Sequence, residues 1–391
     1  MMRVLHLPTA VGGGPSGLSQ QLKLLGIDSE VWTIDQNYLN YPVDRVLTDA
    51  KAPILLQMLR AFGAGAYVFG RWDIIHFNFG STLFSNGGKL LSMRPASLVR
   101  RGAAKFLTAL LGGAASILQH LELWILRVRR IPVFVHYQGD DARQGDYSRA
   151  HFEISIATQV PADYYTPRTD EWKRRQIALM AKYAARIYAV NPDLLNVLPL
   201  SAEFVPYGHV AVKEWAPNFT QDDRKQLVFA HAPSNRSVKG TDLIVEALAE
   251  LKAEGYEFTL DLIEGVSNSE ALERYRSADI LIDQLYAGWY GGVAVEAMAL
   301  GKPVVVYLRE SDFHYLPVEM VQDLPFFRAT PTTVKETLRN LMEMPRSELV
   351  AVARRSREFV EKWHDPHQIA TRIAADYRRG IEIAKRKGNL Q

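Results

Sequence analysis

The sequence predicts an α/β protein built on parallel, doubly wound sheets, and three observations predict it. Strand-like segments alternate with helical periods along the chain, from RVLHL onward. Most of the strand-like runs are apolar throughout, as expected of strands covered on both faces. The rhythm also starts twice, at RVLHL and again at LVFAHAPS, and 391 residues suffice for two domains with separate cores.

Taken in order, RVLHL, the helix SGLSQQLKLLG, SEVWTI, WDIIHFNFG, IPVFVHY and RIYAV make up the first series. At VPYGHVAVKEWAP strand propensity gives way to Pro, Gly and polar residues, which marks a hinge. The second series runs through LVFAHAPS, the helix TDLIVEALAELKAEG, FTLDLI, the helix EALERYRSA, DILIDQL, a helix over Val293 to Leu300, and VVVYL. From Thr332 the pattern is helical, with breaks near Met344-Pro345 and at His364-Asp365-Pro366. The expected division is a first domain over 1–210, a second over 211–365, and a terminal helix over 366–391 that continues the second domain or crosses back to the first.

Composition narrows the function classes. With 46 basic and 43 acidic residues the net charge of +3 supplies no broad field for nucleic acid. The absence of cysteine excludes disulfides and thiolate metal sites and fits a reducing compartment. The start MMRVLHLPTA lacks the order of a signal peptide, so a cytoplasmic location is expected. The segment 100–130 is apolar and flanked by Arg100, Arg101, Lys105, Arg127, Arg129 and Arg130, with Glu122 the one acid. It reads either as helices packed on the first sheet or as an interfacial surface drawn to anionic lipid at the inner face of a membrane.

Four loops hold candidate chemistry. In AGWYGGVAVEAMALGKPVV, Gly291 and Gly292 precede a helix whose first turns carry Glu296. Such a turn offers amides and a positive dipole end to phosphate, with a carboxylate for ribose hydroxyls; the plain alternative is a helix cap with a solvated Glu296. In HAPSNRSVKGTDLI, Arg236 and Lys239 lie where a fork and a point charge can hold a diphosphate. The first turn, LPTAVGGGPSG, matches G-x-G-x-x-G formally through Gly12, Gly14 and Gly17, with Asp35 at the acidic position. Pro15 removes an amide from that cradle, but a nicotinamide-dinucleotide enzyme stays open. In VHYQGDDAR, Asp140 and Asp141 read better as a turn with an ion pair to Arg143 than as metal ligands. His76 and His136 close strands at the edge where open α/β sheets place ligands, although a packed histidine is an equal alternative.

Together VAVEAMALGKPVV and VKGTDLIVEAL make the chain resemble family-4 retaining glycosyltransferases of the GT-B fold, two Rossmann-like domains facing each other across a cleft. The GGGPSG turn, HYQGDDAR and AVNPDLLNVLP add weaker likeness, and the resemblance spans nearly the whole chain. It implies a nucleotide diphosphate sugar as co-substrate, no separate cofactor, no metal at the diphosphate, and a saccharide, lipid-linked or small-molecule acceptor. By position, Lys239 would neutralise the diphosphate with Arg236 beside it, and Glu296 would bind ribose. Gly291 and Gly292 would lie near the donor, with Gly13 and Gly14 opposite. The backbone of Glu264, Gly265 and Val266 would hold the base, and His136 would approach the sugar. The chain departs from the family at Gly288, where a Glu-x7-Glu pair would put its first carboxylate, and at Ser234 and Gln138. Beside Gly288, Trp289 and Tyr290 would offer an apolar face and a phenolic hydroxyl, and Tyr290 is expected among the donor-binding residues. The expectation is sugar transfer with retention; a nucleotide-sugar epimerase, the dinucleotide enzyme and an inactive nucleotide-sugar binder are the alternatives.

Overall fold

The computed structural model describes residues 1–36, 39–48, 60, 63–85, 98–219 and 226–389. Among them stand two sheets, parallel throughout. The first has seven strands in the order β3-β2-β1-β4-β5-β6-β7. These are β1 Arg3–Leu7, β2 Asp28–Thr33, β3 Arg45–Val46, β4 Ile74–Asn78, β5 Val133–Tyr137, β6 Ala184–Ala189 and β7 Glu203–Phe204. The second has five in the order β12-β11-β10-β8-β9, comprising β8 Leu227–His231, β9 Phe258–Leu262, β10 Ile280–Ile282, β11 Val304–Val306 and β12 Phe327–Arg328. The doubly wound α/β reading therefore holds. Strands β4 and β5 are buried at every position, while β2, next to the edge, alternates.

The connecting helices are α1 Gly14–Leu24, α2 Leu98–Val128, α3 Gly145–His151, α4 Pro167–Tyr183, α5 Arg236–Lys239, α6 Thr241–Ala253, α7 Asn268–Ser277, α8 Gly292–Ala299, α9 Val318–Gln322, α10 Val334–Glu343, α11 Arg346–Trp363 and α12 Pro366–Asn389. Pro167 at the start of α4 follows a Thr166–Thr169 capping box, and Pro345 and Pro366 bound α11, so proline sets these starts. Helix α12 lies on the first sheet. Its Ala370, Ile373, Ala374 and Tyr377 share a core with Leu18 and Leu22 of α1 and with Phe134 and Tyr188, and Tyr188 donates to Asp376 at 2.8 Å.

The two halves are joined by more than the connector. Phe204 meets Trp289 edge-on at 6.0 Å between ring centroids. Asn196 donates to Asp312 at 3.0 Å, and Arg309 donates to the Ile154 carbonyl at 2.8 Å. Arg357 of α11 donates to the carbonyls of Val212 and Trp215 at 2.8 and 2.7 Å, fixing the connector to the second half.

Three histidines cross the first sheet side by side. The His6 ring stacks on His76 at 5.1 Å and His76 on His136 at 5.0 Å. Nδ1 of His136 lies 2.9 Å from Nε2 of His76, whose Nδ1 meets the Tyr377 hydroxyl, whereas both ring nitrogens of His6 are buried without a partner. Burial first, and the neighbouring His136 second, push His6 down to about 3. Above pH 6.5 this imidazole is neutral folded or unfolded. Below 6.5 only the unfolded chain takes the proton until about pH 3, so stability is lost as pH falls through that window. For one such group the loss by pH 5.5 is about 1.4 kcal/mol. His6→Phe should therefore shrink the difference in unfolding free energy between pH 7.5 and 5.5 by about that amount, read by urea denaturation. An unchanged difference would mean that His6 takes up its proton as readily in the fold as in the unfolded chain.

Candidate functional site

In each sheet the chain winds outward and then returns to the other side of its first strand. For the second sheet the switch falls between β8 and β10. A crevice opens at the carboxyl ends of strands at such a point. The segment after β8 leads to Lys239 and the segment after β10 begins with Asp283, so topology brings these two side chains together.

Local geometry then fixes them. Asn235 caps the short helix α5 by accepting from Val238 at 3.2 Å. Gly240, at φ +78°, turns the chain from α5 into α6, and the Lys239 carbonyl accepts from Leu285 at 3.2 Å. The Lys239 ammonium thus reaches Asp283 Oδ1 at 2.8 Å, while the Gly291 amide donates to Asp283 Oδ2 at 2.6 Å. The Asp283 side chain is fully buried. One carboxylate therefore holds a cation and an amide that the resemblance assigns to a diphosphate. Beneath it, His231 is fixed as a neutral tautomer: one ring nitrogen faces the Ile282 carbonyl at 2.8 Å and the other the Thr241 hydroxyl at 2.9 Å. Burial takes it down to about 4.

Helix α8 starts at Gly292, and Glu296, one turn in, is buried. The solvated-cap alternative does not apply to it. Its Oε1 accepts from Asn268 of α7 at 2.9 Å and lies 3.7 Å from Nε2 of His209. Lys239, Glu296, Gly292, Gly265, Val266, Ser234, Asn268 and His209 line one cleft with Gly12 and Tyr41 of the first half, enclosing about 210 Å³.

The other expected residues are distributed less simply. Arg236 is half exposed and pairs with Glu264 at 2.9 Å across the cleft rim. Gly13 backs onto Tyr41, whose ring would stand 2.7 Å from an added Cβ. Gly14 and His136 line a separate small cavity of about 40 Å³ with Asn78 and Gln138. Burial holds His136 at about 3, so it is neutral and engaged with His76. Tyr290 is the clearest correction. It is fully buried, its hydroxyl meets His364 at 2.8 Å, and its ring stacks on Phe326 at 4.7 Å, so it faces the core and not a sugar. Asp140 accepts from Tyr164 at 2.5 Å and from Tyr165, Asp141 accepts from the Gln138 and Gly139 amides, and Arg143 pairs with Asp193 at 2.6 Å. That is a turn held by ion pairs. Asp35 lies in another cavity, of about 270 Å³, with Thr9, Thr33, Gln36, Tyr41, Phe79 and Ser81. Pro15 is in the first turn of α1 and leaves that turn one amide short.

Two residues had no expected role. Asn268 and His209 both reach Glu296, and the Nδ1 of His209 is buried without a partner. Their signal was present only as a polar helix start and as one histidine in the hinge.

Comparison with solved structures settles the architecture. The chain superposes on sucrose-phosphate synthase of Thermosynechococcus elongatus with a TM-score of 0.57, at 14% identity over 97% of this chain and 99% of that one. Anabaena HepE in complex with UDP-glucose gives 0.58 at 12% identity, covering 96% and 99%. WaaG, a glycosyltransferase involved in lipopolysaccharide biosynthesis, gives 0.56 at 13%, covering 95% and 98%. The fold is GT-B. At these identities the likeness is one of fold. No family model matches the chain, and no curated protein matches it by sequence.

Gly288, where the resemblance expects a carboxylate, has a backbone and surroundings of its own. Its φ is +79°, and an added Cβ would lie 2.7 Å from the Arg309 guanidinium. Arg309 fills the space where a Glu side chain would begin, held by Asp312 at 3.1 Å and lying over the Phe152 ring at 3.7 Å. Gly288→Glu should therefore destabilise the fold by about 2 kcal/mol or more, from left-handed backbone strain and overlap with Arg309. Chemical denaturation checks this; a stability equal to that of the parent would show that Arg309 moves aside freely.

Proposed function

We propose that the chain is a glycosyltransferase that moves a sugar from a nucleoside diphosphate sugar to an acceptor, with retention at the anomeric carbon. One observation carries this reading: a single interdomain cleft collects a lysine, the start of helix α8 and a buried carboxylate one turn in. HepE, solved with UDP-glucose on the same fold, supports a nucleotide sugar as the donor class. The base would lie along Gly265 and Val266, the ribose at Glu296, and the diphosphate at Lys239 and the first amides of α8. The cavity with Thr9, Asp35, Gln36, Tyr41 and Ser81 would receive the acceptor.

The chemistry is then electrostatic. As the bond between the anomeric carbon and the phosphate oxygen breaks, its electron pair goes to the leaving diphosphate, which Lys239 and the α8 amides stabilise. The acceptor oxygen bonds to the same face of that carbon and gives its proton to the departing phosphate oxygen. The Lys239 ammonium has three N–H donors, so it can serve the diphosphate beside Asp283. Neutral, hydrogen-bonded His136 takes no proton in this scheme.

A second reading, binding without turnover, is favoured by one observation, the replacement of the donor-facing carboxylate by Gly288 with Arg309 behind it. Product analysis with a panel of nucleotide sugars and acceptors separates the two. Transfer supports the first, binding alone the second, and an epimerised sugar or nicotinamide reduction overturns both.

Lys239→Ala should weaken nucleoside diphosphate binding by about 1.5–3 kcal/mol, the scale of a charge-assisted hydrogen bond, measured by calorimetry. Unchanged affinity would take Lys239 out of the site. Glu296→Ala should weaken binding of the ribonucleotide more than that of its 2′,3′-dideoxy analogue, because only the former has hydroxyls to lose. Equal losses for the two ligands would make Glu296 a structural partner of Asn268.

A further inference from the structure

From residue 112 onward, where its side chains are described, helix α2 packs by one face. Ala115, Gln119, Glu122, Leu123 and Leu126 are buried, whereas Ile117, Leu121, Trp124 and Val128 are 70, 46, 54 and 59% exposed. At about 100° per residue these four fall within a band of roughly 60°, opposite the buried face. Phe69, 69% exposed, stands on a turn tied to the helix end, where Arg129 donates to the carbonyls of Val68 and of Gly70, the latter at 3.0 Å. An apolar stripe including a tryptophan thus faces solvent on a helix whose fold requirements are met by its other side.

The charge around the stripe has one sign. Over residues 112–130, whose side chains are described, the sequence has Arg127, Arg129 and Arg130 against Glu122 alone. Glu122 is buried, accepting from the Tyr67 hydroxyl at 2.6 Å and the Leu83 amide at 3.2 Å, so it does not offset the exposed Arg127 and Arg130. The whole chain is nearly balanced, which makes this a local excess. A second copy docking here would bring the same positive rim against it. Among the described residues no helix is long and apolar enough to cross a membrane.

We propose that this face of α2 rests on an anionic lipid surface, with Trp124, Leu121, Ile117 and Val128 at the boundary of headgroups and acyl chains and Arg127 and Arg130 on lipid phosphates. On this proposal the packed-helix and lipid-surface readings of the segment do not compete, since they concern opposite faces. The inference stands apart from sugar transfer and holds whichever reaction the cleft performs.

Co-sedimentation of the full chain with phosphatidylcholine vesicles, with and without phosphatidylserine, tests it. Binding should appear with the anionic vesicles and fall about tenfold or more in 0.5 M salt. Leu121→Ser/Trp124→Ser and Arg127→Glu/Arg130→Glu should each reduce it by about tenfold or more, with thermal unfolding unchanged because these side chains are exposed. Binding to neither vesicle, equal binding to both, or sedimentation velocity showing a dimer that Leu121→Ser/Trp124→Ser dissociates would each overturn the proposal. Should the serine pair lower the unfolding temperature, Trp124→Ser alone gives the same comparison.

Discussion

The pairing of Asp283 with Lys239 and the Gly291 amide is the contact on which the cleft depends. It closes two loops from neighbouring strands across the switch point of the second sheet, at 2.8 and 2.6 Å, with the carboxylate fully buried. A buried charge is tolerated only with partners, so removing either donor leaves Asp283 uncompensated. Asp283 thereby keeps the Lys239 ammonium and the glycine loop at the start of α8 close together.

Around this contact the two halves are locked at several points. Arg357 ties the connector to α11, Asn196 reaches Asp312, and Phe204 packs on Trp289. The connector residue His209 lies against both Gly17 of α1, where an added Cβ would be 2.7 Å from its Cα, and Gly292 of α8. Small residues at 17 and 292 let the connector pass between two helix starts. The cleft is thereby built from both halves, through Gly12, Tyr41 and His209 as well as the second sheet.

Much of the fold was legible because its signals are local and strong. Apolar runs such as IIHFN and VFVHY can be satisfied only by strands covered on both faces, and Gly or Pro marks most helix ends. The two-residue strands β3, β7 and β12 were not legible, since they are defined by pairing to a neighbour and carry no pattern of their own. For the site, residue type and loop position pointed to Lys239, Glu296 and Gly292, which do meet in one cleft. Tyr290 misled because a tyrosine beside glycines looks exposed, whereas the loop turns it inward to His364. Asp283 carries no motif of its own in the sequence; its hold on Lys239 arises from strand order, which periodicity does not encode. His209 was invisible for the same reason, being brought to Glu296 by the crossing of the connector.

Hydrogen exchange of the backbone amides, with and without a nucleoside diphosphate, tests the central claim most directly. The ligand should slow exchange at 264–268 and at 291–296, on both sides of the cleft in the second half, and leave the amides at 12–17 less affected. Protection confined to 12–17 and the Asp35 region, with none at 291–296, would contradict the assignment and place the nucleotide on the first glycine turn.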